Sequence, residues 1–204
     1  IVLLLGIQLP YLTFKSFFFN DSFFKSYFNN FRGINATQFE TYIKNELSGY
    51  FVHHLNELAY TKIEEYKTAG FKQYIIGTSP EILLKHIARR LEFNGYIGST
   101  LELKDNHFTG KTSYRVIHSD EKIKAIKALA NEYNFNLNSA IIYGAKNNDT
   151  ECLKLGKEAI VVNPKAALRK VATEYDWKII DEKPLEYPYP KIITFTFYSI
   201  LKMW

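Results

Sequence analysis

The sequence has little of what marks secreted or membrane-spanning proteins. Its 204 residues include one cysteine, Cys152, which excludes an internal disulfide framework and is typical of a reducing compartment. The apolar run at residues 1–12 contains Gln8 and Pro10 and is too short to span a bilayer. No basic segment precedes this run, so we expect no intact signal peptide. Because residue 1 is isoleucine, we expect a longer or trimmed product.

Strong charge and metal-like histidine spacing are also lacking. The net charge of +5 is mild and the lysines are scattered through helical segments, so we expect no nucleic-acid partner. His53 and His54 are adjacent, which places them about 100° apart on a helix and excludes an i,i+4 metal pair. The other three histidines lack metal-like spacing as well.

Aromatic residues are abundant in the first 31 positions. Five of them recur at helical spacing and predict one apolar stripe: Phe23, Phe24, Tyr27, Phe28 and Phe31. We favour a helix that packs on the rest of the protein. The alternative is a membrane-surface element with Lys15, Lys25 and Arg32 at its edges.

Two helical segments follow this aromatic region. Thr37 and Glu40 have capping-box spacing, which predicts a helix start. We expect a break near Ser48-Gly49 and the end of the second helix at Gly70.

The remainder of the chain indicates an α/β fold. Short apolar runs without alternation occur at residues 74–76, 140–143, 160–162 and 178–180, with helical segments between the runs. Such runs are typical of parallel strands buried on both faces. A hairpin is predicted around the Lys104-Asp105-Asn106 turn. We therefore expect a Rossmann-like parallel sheet with helices on both faces.

Polar residues follow two of these predicted strands. In the segment Gly77-Thr78-Ser79-Pro80-Glu81, Ser79 is expected to cap a helix that starts at Pro80, and its hydroxyls suit a phosphate. Asp149 is the sole carboxylate of the loop at residues 144–149, and Lys122 lies near the start of a helix. Each feature also fits an ordinary role as a helix cap, a turn former or a solvated lysine.

Together these segments resemble the phosphoserine-phosphatase-like branch of the haloacid dehalogenase superfamily, over roughly residues 1–181. The resemblance rests on five stretches in order: residues 76–81, the hairpin with Phe108-Thr109-Gly110, residues 120–123, residues 143–149 and Val162-Asn163-Pro164. It implies a helical cap region at residues 1–70 and a Rossmann-like core at residues 71–204. It also implies that Thr78, Ser79 and Lys122 bind phosphate, that Lys122 and Thr78 are catalytic, and that Asp149 holds Mg²⁺.

Three departures from the family pattern affect the expected activity. The family's catalytic aspartates lie in an Asp-x-Asp-x-Thr motif at the end of the first strand, and this chain has no such motif. Gly77 stands at the usual hydroxyl position of the second motif, with Thr78 as a substitute. Ala145 replaces the first acid of the fourth motif, while Asp149 keeps the second. A single carboxylate beside Lys146 is a poor magnesium site.

Three functions remain open at this stage. The chain is a phosphomonoester hydrolase of this family by resemblance, without activity as it stands because covalent catalysis needs its nucleophile. It is alternatively a degenerate member that binds a phosphorylated ligand or a protein, or a membrane-surface protein. We expect a phosphorylated small molecule or lipid as ligand and a cytoplasmic location, with membrane contact through the aromatic region as an alternative.

The resemblance also implies that the core is incomplete and that the family's first strand is absent from this chain, which would leave a gap in the centre of the sheet. We expect residues 192–197, which are rich in β-branched and aromatic side chains, to fill that gap. Thr196 and Tyr198 would then lie near the positions of the family's two aspartates. Alternatively, residues 192–197 form an edge strand or an apolar tail held by a partner or a membrane.

Overall fold

The structure, a computed structural model, describes residues 2–5, 21–53, 55, 57–114 and 119–181. Within these residues the strands are β1 (Val2–Leu5), β2 (Lys72–Pro80), β3 (Gly95–Lys104), β4 (His107–Tyr114), β5 (Ile141–Gly144), β6 (Glu158–Val162) and β7 (Lys178–Ile180). The α-helices are α1 (Asp21–Asn29), α2 (Ala36–Tyr42), α3 (Ser48–His53), α4 (Glu57–Thr68), α5 (Glu81–Arg90), α6 (Ser119–Glu132), α7 (Thr150–Leu153) and α8 (Ala166–Glu174). A π-helical stretch, Ile43–Leu47, joins α2 to α3, and two short 3₁₀ turns flank β5, Leu137–Ser139 and Asn147–Asp149.

The strands form one sheet in the order β4-β3-β2-β1-β5-β6-β7. All neighbouring strands pair in parallel except β3 and β4, which form the expected antiparallel hairpin. The four predicted parallel strands are thus confirmed as members of one sheet. The chain runs outward from β1 in one direction and from β5 in the other. The switch point between these adjacent strands is where open α/β sheets bind ligands.

The expectation that the first strand is absent is wrong. Val2–Leu5 form β1, which pairs with β2 through Leu5 and Ile75 and with β5 through Leu3 and Ile141. Four consecutive apolar residues suit a strand buried on both faces of the sheet. Because β1 satisfies the backbone groups of both neighbours, no central gap remains for residues 192–197. Those residues, with Thr196 and Tyr198, lie outside the described part of the chain.

Helices cover both faces of the sheet, as the buried apolar runs predict. Alternate residues of β5 and β6 point to opposite faces, so Ile142 and Val161 pack with α6, α7 and α8, whereas Ile160 packs on the other face. On that second face, Ile75 of β2 packs against α5 and against Ile63 of α4. The core therefore has two apolar layers separated by the sheet.

The described residues before Gly70 are mainly helical, although two local predictions are wrong. Asn35, not Thr37, caps α2, since its side-chain oxygen accepts a hydrogen bond from the backbone N–H of Gln38 at 3.1 Å. The helix also continues through Ser48-Gly49 by way of the π-helical stretch, where the guanidinium of Arg90 donates to Ser48 Oγ at 2.7 Å. Gly70 follows α4 with φ +77°, as expected for a helix end.

The aromatic stripe of α1 and of the turn after it packs inside the protein wherever its side chains are described. Phe28 and Phe31 are buried, and Phe31 makes edge-to-face contacts with Phe39 of α2 and Phe108 of β4. This confirms the packing interpretation for Phe28 and Phe31. The side chains of Phe23 and Phe24 lie outside the described residues. Among the helices that the structure describes, none is long and apolar enough to cross a membrane.

Candidate functional site

Strand β2 bulges at the segment that the sequence singles out. Ile76 pairs with Ile97 of β3, and the next pair joins Pro80 to Ser99, so β2 has two more residues than β3 over this stretch. The extra length is taken up at Gly77-Thr78-Ser79, which leave the regular ladder at the carboxyl end of the buried part of β2. Bulges of this kind redirect side chains and occur beside functional sites.

The helix start beside this bulge differs from the prediction. Ser79 belongs to β2, and α5 begins at Glu81 with Pro80 at the cap position without a side-chain cap. Ser79 is therefore not the N-cap, because the bulge moves the first helical turn beyond it. Thr78 and Ser79 are both half-buried at the end of the strand.

Gly98 of β3 allows the backbone to approach this bulge closely. A Cβ atom on Gly98 would lie 2.6 Å from Cα and 2.8 Å from N of Glu81, and 2.8 Å from the carbonyl oxygen of Ser79. All three are backbone atoms that no side-chain rotation can move away. Thr100 adds a hydrogen bond from its Oγ1 to Glu81 Oε2 at 2.8 Å. Strand β3 thus fixes the position of the Thr78–Ser79 bulge.

Lys122 and Asp149 form an ion pair on the other side of β1. Lys122 Nζ donates to Asp149 Oδ1 at 2.6 Å, and the side chains are 11% and 16% exposed. One comes from the start of α6 and the other from the loop after β5. The structure therefore brings together two residues that the sequence singled out separately.

The second carboxylate oxygen of Asp149 is held by the backbone of its own loop. Asp149 Oδ2 accepts hydrogen bonds from the N–H of Ala145 at 3.1 Å and of Lys146 at 2.9 Å. Burial alone would raise the pKa of Asp149, but Lys122 and these two N–H groups outweigh burial and hold that pKa below its usual value. Asp149 is therefore a stable carboxylate at neutral pH.

Gly144 makes this tight loop possible. A Cβ on Gly144 would lie 3.0 Å from Asp149 Cβ and 3.1 Å from a methyl group of Leu153. The loop can fold back on itself because this position has no side chain.

Nearby Cys152 is buried, and desolvation raises the pKa of its thiol to about 11, so it is not a nucleophile at neutral pH.

Further positive charge surrounds the Lys122–Asp149 pair. The Lys146 side chain is exposed, but desolvation of its ammonium group lowers its pKa, and repulsion from Lys122 and Lys165 lowers it too, against the opposing attraction of Asp149. Lys165 directly precedes α8, at the end of the loop that follows β6. The charges of Lys122 and Lys165 thus act on Lys146, which follows β5 at the carboxyl edge of the sheet.

The residues present do not fit the magnesium ion that the family resemblance implies. Ala145 offers a buried methyl group where the family pattern has an acid, and both oxygens of Asp149 already accept hydrogen bonds. Within the described ranges no group of three or more His, Cys, Asp or Glu residues could hold a metal. Magnesium demands near-octahedral oxygen ligation, which this set of donors does not supply.

Sequence reasoning located Lys122, Asp149, Thr78 and Ser79 but missed the residues that position them. The role of Gly98 has no signal in the sequence. The three-residue spacing of Lys146 and Asp149, with a carboxylate at the third position of a turn, could have indicated the loop hydrogen bonds.

Gly77, which stands at the family's usual hydroxyl position, has room for a side chain. A Cβ atom added there would lie 3.6 Å from Leu84, the nearest side chain.

The haloacid dehalogenase-like hydrolases share the arrangement seen here. They have a parallel sheet whose carboxyl edge carries the site, a lysine from the helix after the hairpin, and an aspartate in the loop that here follows β5. The sequence profile of that family, described as haloacid dehalogenase-like hydrolase, matches residues 3–154. The chain belongs to this family. Its similarity lies with the phosphoserine-phosphatase-like branch.

Individual relatives agree with this assignment. A phosphoserine phosphatase of Mycobacterium tuberculosis is 35% identical over 113 residues, which are 55% of this chain and 37% of the relative. A histidinol-phosphatase of Neisseria meningitidis is 24% identical, with 80% of this chain and 82% of the relative covered. A substrate-bound phosphoserine phosphatase structure superposes with a TM-score of 0.61 at 19% identity, covering 84% of this chain and 74% of the other. The chain spans less than two fifths of the length of three mycobacterial relatives that it matches, this phosphoserine phosphatase among them.

Proposed function

We propose that this chain binds a phosphate monoester at the carboxyl edge of its sheet and does not hydrolyse it by the magnesium-dependent aspartyl-phosphate route. The ion pair between Lys122 and Asp149 is the observation that carries the proposal. It keeps a buried ammonium group at the switch point between β1 and β5, where this fold class binds ligands. A fixed ammonium group of this kind favours a phosphate anion.

Thr78 and Ser79 supply the neutral part of the proposed site. Their backbone bulge lies near the carboxyl end of β2, which is directly beside β1, and both residues are half-buried. Hydroxyl groups at such a strand end can donate hydrogen bonds to phosphate oxygens. Lys122, Thr78 and Ser79 would therefore orient the phosphate, and its remaining substituent would face the helical residues before Gly70, which we propose act as a cap.

The chain lacks acidic residues at the positions where the family has its catalytic and metal-binding aspartates, and we therefore expect no hydrolysis. Residues 6–20, which follow β1 in the sequence, contain no aspartate or glutamate. An aspartyl-phosphate mechanism needs such a nucleophile, and electrostatic stabilisation without one gives little turnover. Ala145 removes a further carboxylate from the loop after β5.

The second candidate is a phosphomonoester hydrolase, favoured by the family membership of the chain and by the retained Lys122–Asp149 pair. An assay with p-nitrophenyl phosphate and excess magnesium distinguishes the two candidates. We expect no release of p-nitrophenol above the level of the Lys122→Ala variant. Magnesium-dependent turnover that the Lys122→Ala substitution abolishes would establish the hydrolase and contradict our proposal.

A further inference from the structure

We propose that Asp149 is an internal counter-ion that competes with the ligand for the ammonium group of Lys122, so that a bound phosphate displaces the carboxylate from this contact. This inference rests on the proposed phosphate site and specifies how that site is regulated. Since the donors of this loop do not suit magnesium, the carboxylate neutralises Lys122 instead. The ion pair is therefore an autoinhibitory contact.

The first step concerns how firmly the Asp149 carboxylate is held. Its Oδ2 accepts hydrogen bonds from the backbone N–H groups of Ala145 at 3.1 Å and of Lys146 at 2.9 Å. A Cβ at Gly144 would lie 3.0 Å from Asp149 Cβ, so the loop backbone packs directly against the aspartate. These contacts direct Oδ1 at Lys122 Nζ, 2.6 Å away. The negative charge therefore stays beside the ammonium group when a ligand arrives.

The second step concerns the Lys122 ammonium group, for which two anions compete. The side chains of Lys122 and Asp149 are 11% and 16% exposed, so salt and water screen their charges little. A charge-assisted hydrogen bond spans about 2.7–2.9 Å, so a phosphate oxygen bound to the same Nζ atom would lie only about 4–5 Å from Asp149 Oδ1. Two negative charges at that separation repel each other in a partly buried site. Phosphate binding therefore meets either this repulsion or the loss of the Lys122–Asp149 hydrogen bond.

The third step is the charge of the pair. One ammonium group and one carboxylate sum to zero, so the pair attracts a phosphate less than an unpaired ammonium group would. A phosphate monoester carries nearly two negative charges at neutral pH, which makes it a stronger partner for Lys122 than the single charge of Asp149. A dianionic phosphate is therefore the class of ligand that can take the place of the carboxylate.

The test is a calorimetric titration of the full chain and of its Asp149→Asn variant with inorganic phosphate near neutral pH, in excess EDTA. Asp149→Asn keeps a side-chain oxygen for the two backbone N–H groups and removes the competing charge. We expect this variant to bind phosphate about tenfold more tightly, the effect of one charge-assisted hydrogen bond that no longer has to be broken.

Glu151→Gln is the matched control, because it removes an exposed carboxylate two residues away and changes the net charge of the chain by the same amount. It should leave the dissociation constant unchanged, and thermal unfolding should verify that each variant folds. Carbon NMR of the side-chain carboxylates in the wild-type chain gives a second readout that needs no variant. Saturating phosphate should shift the resonance of the Asp149 carboxylate because Lys122 leaves it.

Three results overturn this inference while leaving the proposed phosphate site intact. The first is equal or weaker phosphate binding by a folded Asp149→Asn variant, and the second is an Asp149 resonance that phosphate binding does not move. The third is a tightening of phosphate binding by magnesium that the wild type shows and Asp149→Asn does not, because Asp149 would then hold a metal. Absence of phosphate binding by both proteins overturns the proposed site and this inference with it.

Discussion

The ion pair between Lys122 and Asp149 joins two segments that lie 27 residues apart in the sequence. Both side chains are largely withdrawn from solvent, so each charge depends on the other for stabilisation. We therefore predict that Asp149→Ala lowers the free energy of unfolding by about 3 kcal/mol, because it leaves the Lys122 ammonium group buried without its partner. Urea denaturation at neutral pH measures this loss.

Glu151→Ala is the control for this prediction, because Glu151 forms an exposed ion pair with Lys154 one helical turn away. Removing that pair should cost less than about 1 kcal/mol. The pKa of Asp149 is lowered by folding, so its contribution is complete above the ordinary carboxyl pKa of about 4 and disappears as the pH falls through the lower folded value. An Asp149→Ala variant as stable as the wild type at neutral pH would contradict the prediction.

The sequence predicts the identities of the site residues better than their geometry. Lys122 and Asp149 were recognisable because each stands at a motif position after a strand or at a helix start. Their direct contact was not, because it depends on how α6 packs beside the loop after β5. The sequence predicts a helix cap at Ser79 because Ser-Pro is a frequent helix start. A bulge set by the pairing of β2 with β3 overrides that local preference.

Strand β3 has one residue, Gly98, on which the geometry of the neighbouring bulge depends. Its hypothetical Cβ would overlap backbone atoms of Ser79 and Glu81, so a methyl group can be accommodated only if β2 and β3 separate. We predict that Gly98→Ala lowers the free energy of unfolding by about 1–3 kcal/mol, the usual cost of overpacking. Phosphate affinity should fall as well because Thr78 and Ser79 move with the bulge.

Gly77→Ala is the control for the stability effect. A Cβ at Gly77 comes no nearer than 3.6 Å to a side chain, so this variant should unfold within about 1 kcal/mol of the wild type. Denaturant unfolding of the two variants side by side makes the comparison. Equal stabilities would show that the close approach at Gly98 is relieved without cost.

Among the helices and strands, four parallel strands and the hairpin can be predicted from the sequence because clear turn signals bound their apolar runs. The hairpin turn has positive φ at Asp105 and Asn106, a conformation that these residue types tolerate. The sequence does not predict strand β1, because the aspartates that the family pattern has directly after this strand are absent from the sequence. Pairing with β2 and β5 defines this strand, and such long-range pairing leaves no local trace.

For the whole molecule, the helical residues before Gly70 are joined to the sheet through backbone bonds and a salt-bridge cluster. Gly33 donates its N–H to the carbonyl of Phe108 at 2.8 Å, and Phe108 donates to the carbonyl of Ile34 at 3.0 Å. Glu40 of α2 accepts from Lys85 Nζ at 2.7 Å and lies 3.1 Å from His86 Nε2, both on α5. The hydrogen bonds from Lys85 and His86 hold the pKa of Glu40 below its usual value.

These connections predict that α2 and the central sheet unfold together and that α2 is not a mobile lid. Native-state hydrogen exchange should give similar opening free energies for the amides of α2 and for those of β5. Phe39→Ala removes a buried ring that contacts both Phe31 and Phe108, and should lower both sets of values together by about 3–5 kcal/mol. Independent opening of α2, with β5 still protected in this variant, would instead indicate a cap that moves apart from the core. In that case access to the Lys122–Asp149 site would depend on the motion of α2. A jointly folded α2 instead leaves the site shaped by the bulge of β2 and by the loops after β5 and β6.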